Sequence, residues 1–72
     1  MVYPNPVSNE LFITANGNDN VGFEILNAMG QIVYKGSLVN KTMVETSAFA
    51  NGVYVIKLDN GKTFEFKKII KQ

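Results

Sequence analysis

The chain has no cysteine, no histidine and no tryptophan. No disulfide can staple it. The usual ligands of zinc, copper and haem, the thiol nucleophile and the imidazole general base are all missing. Its seven cations are all lysine, so no guanidinium fork is present to clamp a phosphate or a guanine edge. A net charge of +1 is far below the footprint of a nucleic-acid binder. No run approaches the roughly 20 apolar residues that cross a bilayer as a helix, and Met1-Val2-Tyr3-Pro4 lacks the layout of a signal peptide. These absences argue against most enzyme classes, a nucleic-acid partner, a cofactor and stable membrane insertion. Two origins fit: a small cytosolic protein, or the end of a longer exported chain behind an added Met.

What is present suits one small domain over residues 1–72. A chain of this size buries only about 60% of the surface its unfolded form exposes, so most of its apolar residues are needed as core. Val, Ile and Thr make up about a quarter of it, eight more residues are aromatic, and Leu and Ala are scarce, a usage that favours strands. Breakers recur at Pro4 and Pro6, Asn16-Gly17, Gly30, Gly36, Asn51-Gly52 and Asn60-Gly61. The segments between them fit an all-β fold, a small antiparallel β-sandwich of about six to seven strands.

The pattern predicts strands near Leu11–Ala15, Val21–Asn27, Gln31–Lys35, Met43–Thr46, Val53–Asp59 and Thr63–Ile70, with a short edge piece at Val2-Tyr3. Each Pro of the opening Val-Tyr-Pro-Asn-Pro lacks the ladder N–H, and Pro6 biases Asn5 towards an extended conformation, so the entry is stiff. Asn16–Asn20 reads as a polar surface loop. Ser47–Ala50 is expected to form a single helical turn capped by Ser47, with Phe49 pinning it to the core.

The last hairpin has two readings. A two-residue Asn60-Gly61 turn places Val53 and Val55 on one face with Phe64 and Phe66. A three-residue loop, Asp59-Asn60-Gly61, shifts the pairing by one and sets Tyr54 and Ile56 across from Phe66 and Phe64. The second collects the large apolar groups on one side and leaves Lys57, Glu65 and Lys67 on the other, so it is the one expected.

Few residues suggest chemistry. No two of the carboxylates Glu10, Asp19, Glu24, Glu45, Asp59 and Glu65 are close in sequence, and each reads as a solvent-facing strand or turn residue. Asn16, Asn18, Asp19 and Asn20 offer oxygen ligands but lack the spacing and bidentate Glu of a calcium loop, so a plain turn is the better reading and no metal is expected. Tyr3, Tyr34 and Tyr54 suit either core or a sugar-stacking row. Four of the seven lysines (Lys62, Lys67, Lys68, Lys71) lie in the last eleven residues, against one acid, Glu65. There Lys67, Lys68 and Lys71 sit beside Ile69 and Ile70, with Gln72 last, a presentation that suits a receptor reading an extended peptide by strand addition. Trimming Ile69–Gln72 is expected to cost the fold little, since chain ends fray.

Four stretches in order carry a resemblance: Tyr3-Pro4-Asn5-Pro6 followed by Ser8-Asn9-Glu10-Leu11-Phe12-Ile13; Ile25-Leu26-Asn27-Ala28-Met29-Gly30-Gln31-Ile32-Val33; Gly52-Val53-Tyr54-Val55-Ile56-Lys57-Leu58; and Lys67-Lys68-Ile69-Ile70-Lys71. Together they resemble the C-terminal sorting domain of the type IX (Por) secretion system, type A, nearly end to end. Pro4, Asn5 and Pro6 match its entry motif, Gly30 its central turn, Gly52 and Tyr54 its Gly-x-Tyr, and Lys67, Lys68 and Lys71 its basic end. Asn27 stands where the family usually has Asp, and Gln31 where it often has Arg or Lys.

The resemblance implies an immunoglobulin-like sandwich at the end of an exported cargo protein from Bacteroidota. It implies no catalysis, passage through the periplasm, recognition by the outer-membrane translocon through Lys67, Lys68, Ile69, Ile70, Lys71 and Gln72, and removal at the cell surface by a sortase-like protease. The alternative from the residues alone is a carbohydrate-binding or adhesin-like module, which requires exposed aromatics in a row.

Overall fold

Along Glu10–Thr14 and Asn20–Leu26 every second side chain is buried, the period of a strand with one face on a core. The computed structural model describes residues 1–72 and contains seven strands: β1 (Val2–Tyr3), β2 (Glu10–Thr14), β3 (Asn20–Leu26), β4 (Ile32–Val39), β5 (Lys41–Glu45), β6 (Gly52–Asp59) and β7 (Phe64–Lys71). They form a three-stranded sheet, β1-β2-β5, and a four-stranded sheet, β4-β3-β6-β7, antiparallel at every strand pair. Twelve buried side chains fill the space between the sheets, Leu11, Ile13 and Val44 from one and Phe23, Ile25, Ile56 and Ile69 from the other among them. The fold is the expected small immunoglobulin-like β-sandwich.

Three local expectations fail, each for a physical reason. Strand β4 does not stop at Lys35: it runs through Gly36 to Val39. Gly36 acts as a seat rather than a breaker. It lies directly across from Phe23, and a Cβ built there would come within 3.0 Å of the Phe23 ring, which also stacks on Tyr34 at 5.8 Å. We expect Gly36→Val to destabilise the domain by about 1–3 kcal/mol through overpacking, seen as a lower urea midpoint at unchanged slope. A midpoint at or above that of the parent chain would refute the seat.

The Ser47–Ala50 segment is a turn and not a helical cap. Phe49 N–H donates to the Thr46 carbonyl at 2.9 Å, while the Ser47 hydroxyl turns to the Glu45 carboxylate at 3.1 Å. Phe49 does pack on the core, as its apolar ring demands.

The last hairpin takes neither of the two registers weighed above. Asp59 pairs with Phe64 and Tyr54 with Ile69, so the loop is the four residues 60–63. Its geometry is set by side chains: the Asn60 Oδ1 accepts from Lys62 N–H and Thr63 N–H, both at 2.9 Å, and the Asp59 Oδ1 accepts from Gly61 N–H at 2.8 Å. These local bonds outweigh the gain from gathering every large apolar group. Ile69 joins Tyr54, Ile56 and Leu58 on the inward face, and Phe64 and Phe66 point outward.

At the β3–β4 turn, the two departures from the family pattern satisfy each other. Asn27 Oδ1 accepts from Met29 N–H and Gln31 N–H, and its Nδ2 donates to Gln31 Oε1, each at 3.0 Å. The turn is held by this neutral pair.

Candidate functional site

The free edge of β7 is where the remaining sequence motifs meet. The peptide bonds before Pro4 and Pro6 are both cis, and neither proline can donate a backbone hydrogen bond. Between them, the Asn5 side chain offers what the backbone lacks. Its primary amide carries one donor group and one acceptor, as a peptide unit does, and it docks on β7 as a strand would. Nδ2 donates to the Lys68 carbonyl at 3.2 Å and Oδ1 accepts from Ile70 N–H at 3.0 Å. Val7 completes the contact through backbone groups. Its N–H donates to the Ile70 carbonyl at 2.8 Å, and Gln72 N–H donates to the Val7 carbonyl at 2.9 Å. A buried Thr46 ties down the next residues, its hydroxyl donating to the Ser8 carbonyl and its N–H to the Asn9 carbonyl.

The entry segment is thus a strap. It leaves the edge of the three-stranded sheet after Tyr3, crosses the open side of the sandwich, and closes on the last strand of the other sheet. Gly52 and Tyr54 stand at the same end. Gly52 has φ +150°, a backbone angle that side chains resist, at the point where the chain enters β6 opposite Lys71. Tyr54 Oη donates to the Ala50 carbonyl at 2.6 Å, the tyrosine corner of immunoglobulin-like sandwiches. Pro4, Asn5, Pro6, Gly52 and Tyr54 are therefore gathered around the end of β7, whereas Gly30 belongs to the β3–β4 turn.

The six terminal residues are not a fraying tail. They continue β7, and the strand's alternation divides them. Ile69 is 1% exposed and part of the core, and Lys71 is 6% exposed, its Nζ donating to the Gln72 carbonyl at 3.0 Å. The expectation that Ile69–Gln72 can be trimmed at little cost is overturned by this burial and by the strap bonded to it. Lys68, Ile70 and Gln72 face solvent, and Lys67 is half-buried. Lys67 Nζ lies 2.8 Å from Glu65. That hydrogen bond, with the charge of the ammonium, holds the Glu65 carboxyl below its ordinary range. Lys68 carries no such partner.

Two residues went unremarked as site candidates in the sequence: Phe64, 58% exposed, and Phe66, 63% exposed. Lys57 Nζ lies 4.4 Å from the Phe64 ring centre, a cation–π distance. The signal for them was the Asn60 loop, whose length decides which face of β7 is outside. The three tyrosines form no row. Tyr3 stacks on Phe12 in the smaller sheet, Tyr34 lies in β4, and Tyr54 is buried. No three acidic side chains come close enough to share a metal ion, and no helix is long and apolar enough to cross a membrane.

No curated protein matches the chain significantly. The family described as secretion system C-terminal sorting domain matches residues 1–72, the full span over which strap, tyrosine corner and terminal strand are built. The chain belongs to that family, and is a sorting domain of type IX secretion.

Proposed function

We propose that residues 1–72 form a non-catalytic address that the type IX outer-membrane translocon recognises on the last hairpin, among Lys67, Lys68, Ile69, Ile70, Lys71 and Gln72, and that carries an N-terminal cargo through the periplasm to the cell surface. A sortase-like protease then separates cargo from domain upstream of Val2. The observation that carries this reading is the strap. Whatever precedes Val2 is continuous with Pro4–Val7, and Pro4–Val7 is bonded to Lys68, Ile70 and Gln72. The address is held in shape by the segment next to the cargo. Ile69 and Lys71 serve by folding, leaving Lys67, Lys68, Ile70 and Gln72 to be touched.

The two ends are also well placed. Val2 pairs with Ile13 and the Met1 carbonyl accepts from Thr14 N–H, whereas Gln72 lies beside Val7, beyond the Gly52–Lys71 pair at the far end of the hairpin. A cargo leaving at Val2 therefore departs from the end of the sandwich near Glu65, away from Lys71 and Gln72.

Fusing residues 1–72 to a periplasmic reporter tests the reading in type IX-competent cells and in a translocon mutant. Surface reporter is expected in the first strain only; equal signal in both, or none in either, would refute it. The variant Lys67→Gln/Lys68→Gln should reduce surface signal while changing stability by no more than about 0.5 kcal/mol, since both side chains leave the core untouched.

A further inference from the structure

The strap closes only part of the β7 edge. In an antiparallel pair, successive residues turn their N–H and C=O groups alternately towards and away from the partner strand. Lys68, Ile70 and Gln72 direct theirs away from β6, to Asn5 and Val7. By the same alternation Phe64 and Phe66 direct theirs away as well. The N–H and C=O of Phe64 and Phe66 and the N–H of Lys68 have no protein partner. An open strand edge is ordinarily blunted by charge, proline or a covering loop. This one carries Lys67 and Lys68 and also displays two phenylalanines on one face, two residues apart.

The charges around that edge are mostly positive. Lys57, Lys62, Lys67 and Lys68 stand against Asp59 and Glu65, leaving +2 here in a chain whose total is +1. Both acids are already engaged, Glu65 by Lys67 and Asp59 by Gly61 N–H. Lys57, Lys62 and Lys68 remain without a carboxylate. The opposite edge of the same sheet, β4, differs on both counts. It displays aliphatic Ile32, Val33 and Val39 and a single aromatic, Tyr34, whose ring is stacked on Phe23, and its one lysine, Lys35, lies 4.0 Å from Glu24.

We propose that the Phe64–Lys68 half of β7 receives an extended acidic segment of the secretion machinery as an added strand, with Phe64 and Phe66 as apolar anchors. This rests on the sorting reading and moves the contact from the terminal residues to the part of the strand that the strap leaves open. The added strand pairs its backbone with Phe64, Phe66 and Lys68 N–H. On the outward face it sets apolar side chains beside the two rings and a carboxylate beside Lys68. Main-chain bonds then supply attachment and the side-chain order supplies selectivity.

The export fusion separates this from the general reading. Phe64→Ser/Phe66→Ser removes the anchors without touching the core. Phe66→Pro removes an N–H that faces away from the ladder, a position where an edge strand tolerates proline. Val33→Ser/Val39→Ser alters the other edge. Thermal melts by circular dichroism establish that each variant is folded. The first two variants are expected to lower surface reporter about tenfold or more, the scale of losing central anchors, and the β4 variant to export like the parent. Full export of the serine pair, or equal loss in the β4 variant, overturns the proposal while leaving translocon-dependent export of the parent intact. Loss with the serine pair but not with Phe66→Pro overturns strand addition. A parent fusion that never reaches the surface fails the sorting reading itself.

Discussion

A chain ending at Lys68 is expected to be unfolded at room temperature. Deleting Ile69–Gln72 removes the Ile69 side chain from the core beside Tyr54, a loss of about 2–5 kcal/mol for a buried isoleucine. It also removes the Ile70–Asn5, Val7–Ile70 and Gln72–Val7 hydrogen bonds, together with the ladder bonds at the open end of β6. Each is worth about 1 kcal/mol. Val7, itself a fully buried core residue, then has nothing to hold it. A domain of this length has a total stability of roughly 4–11 kcal/mol, so the deletion consumes most or all of it. Far-UV circular dichroism and a thermal scan decide the matter: a cooperative melt within a few degrees of the full chain would refute the terminal strand's role in folding. For the same reason, lost export after trimming does not identify an address, because an unfolded domain presents none. Substitutions that leave the core intact, at Lys67, Lys68, Phe64 and Phe66, are the informative ones.

The parts of this fold that were legible in the sequence are those governed by short-range chemistry. Period-two burial along Leu11–Ile13 and Val21–Ile25 and the turn residues at Asn16-Gly17 and Asn60-Gly61 locate the strands to within a residue or two. The end of β4 was not legible. Gly36 looks like punctuation until Phe23, thirteen positions earlier, is found lying over it. The face of β7 failed for a related reason. Counting apolar groups put Phe64 and Phe66 inside, but the loop 60–63 fixed by the Asp59 and Asn60 side chains turns them out, and the inward positions of that half-strand are held by Glu65 and Lys67, which pair with each other. The Pro-Asn-Pro motif was recognisable by resemblance, yet nothing local indicates that the Asn5 amide docks more than sixty residues away. The consequence is functional: the end of the last strand, expected to fray, is strapped in place through Lys71.

Tyr54→Ala is expected to cost about 3–5 kcal/mol, the range for losing a buried aromatic ring, and Tyr54→Phe to isolate the hydroxyl's share. The Tyr54 ring packs against Phe49 at 5.4 Å and its Oη donates to the Ala50 carbonyl at 2.6 Å. Phenylalanine keeps the packing and leaves that carbonyl short of a partner, a loss of about 1–3 kcal/mol, or a fall in melting temperature of roughly 4–8 °C per kcal/mol for a domain of this size. Because Thr46 links the same corner to Ser8 and Asn9, the loosening should reach the strap. Amide exchange at Val7, Ile70 and Gln72 should therefore quicken in Tyr54→Phe more than exchange in β3. An unchanged melt would show that the corner carries no tension from β6 to the strap; a lower melt with uniform loss of protection would place the effect in global stability alone. Below its melting temperature Tyr54→Phe keeps Phe64, Phe66, Lys67 and Lys68 where they are. It should still be exported, whereas the phenylalanine variants should be folded and retained. That opposition separates residues that build the address from residues that are touched.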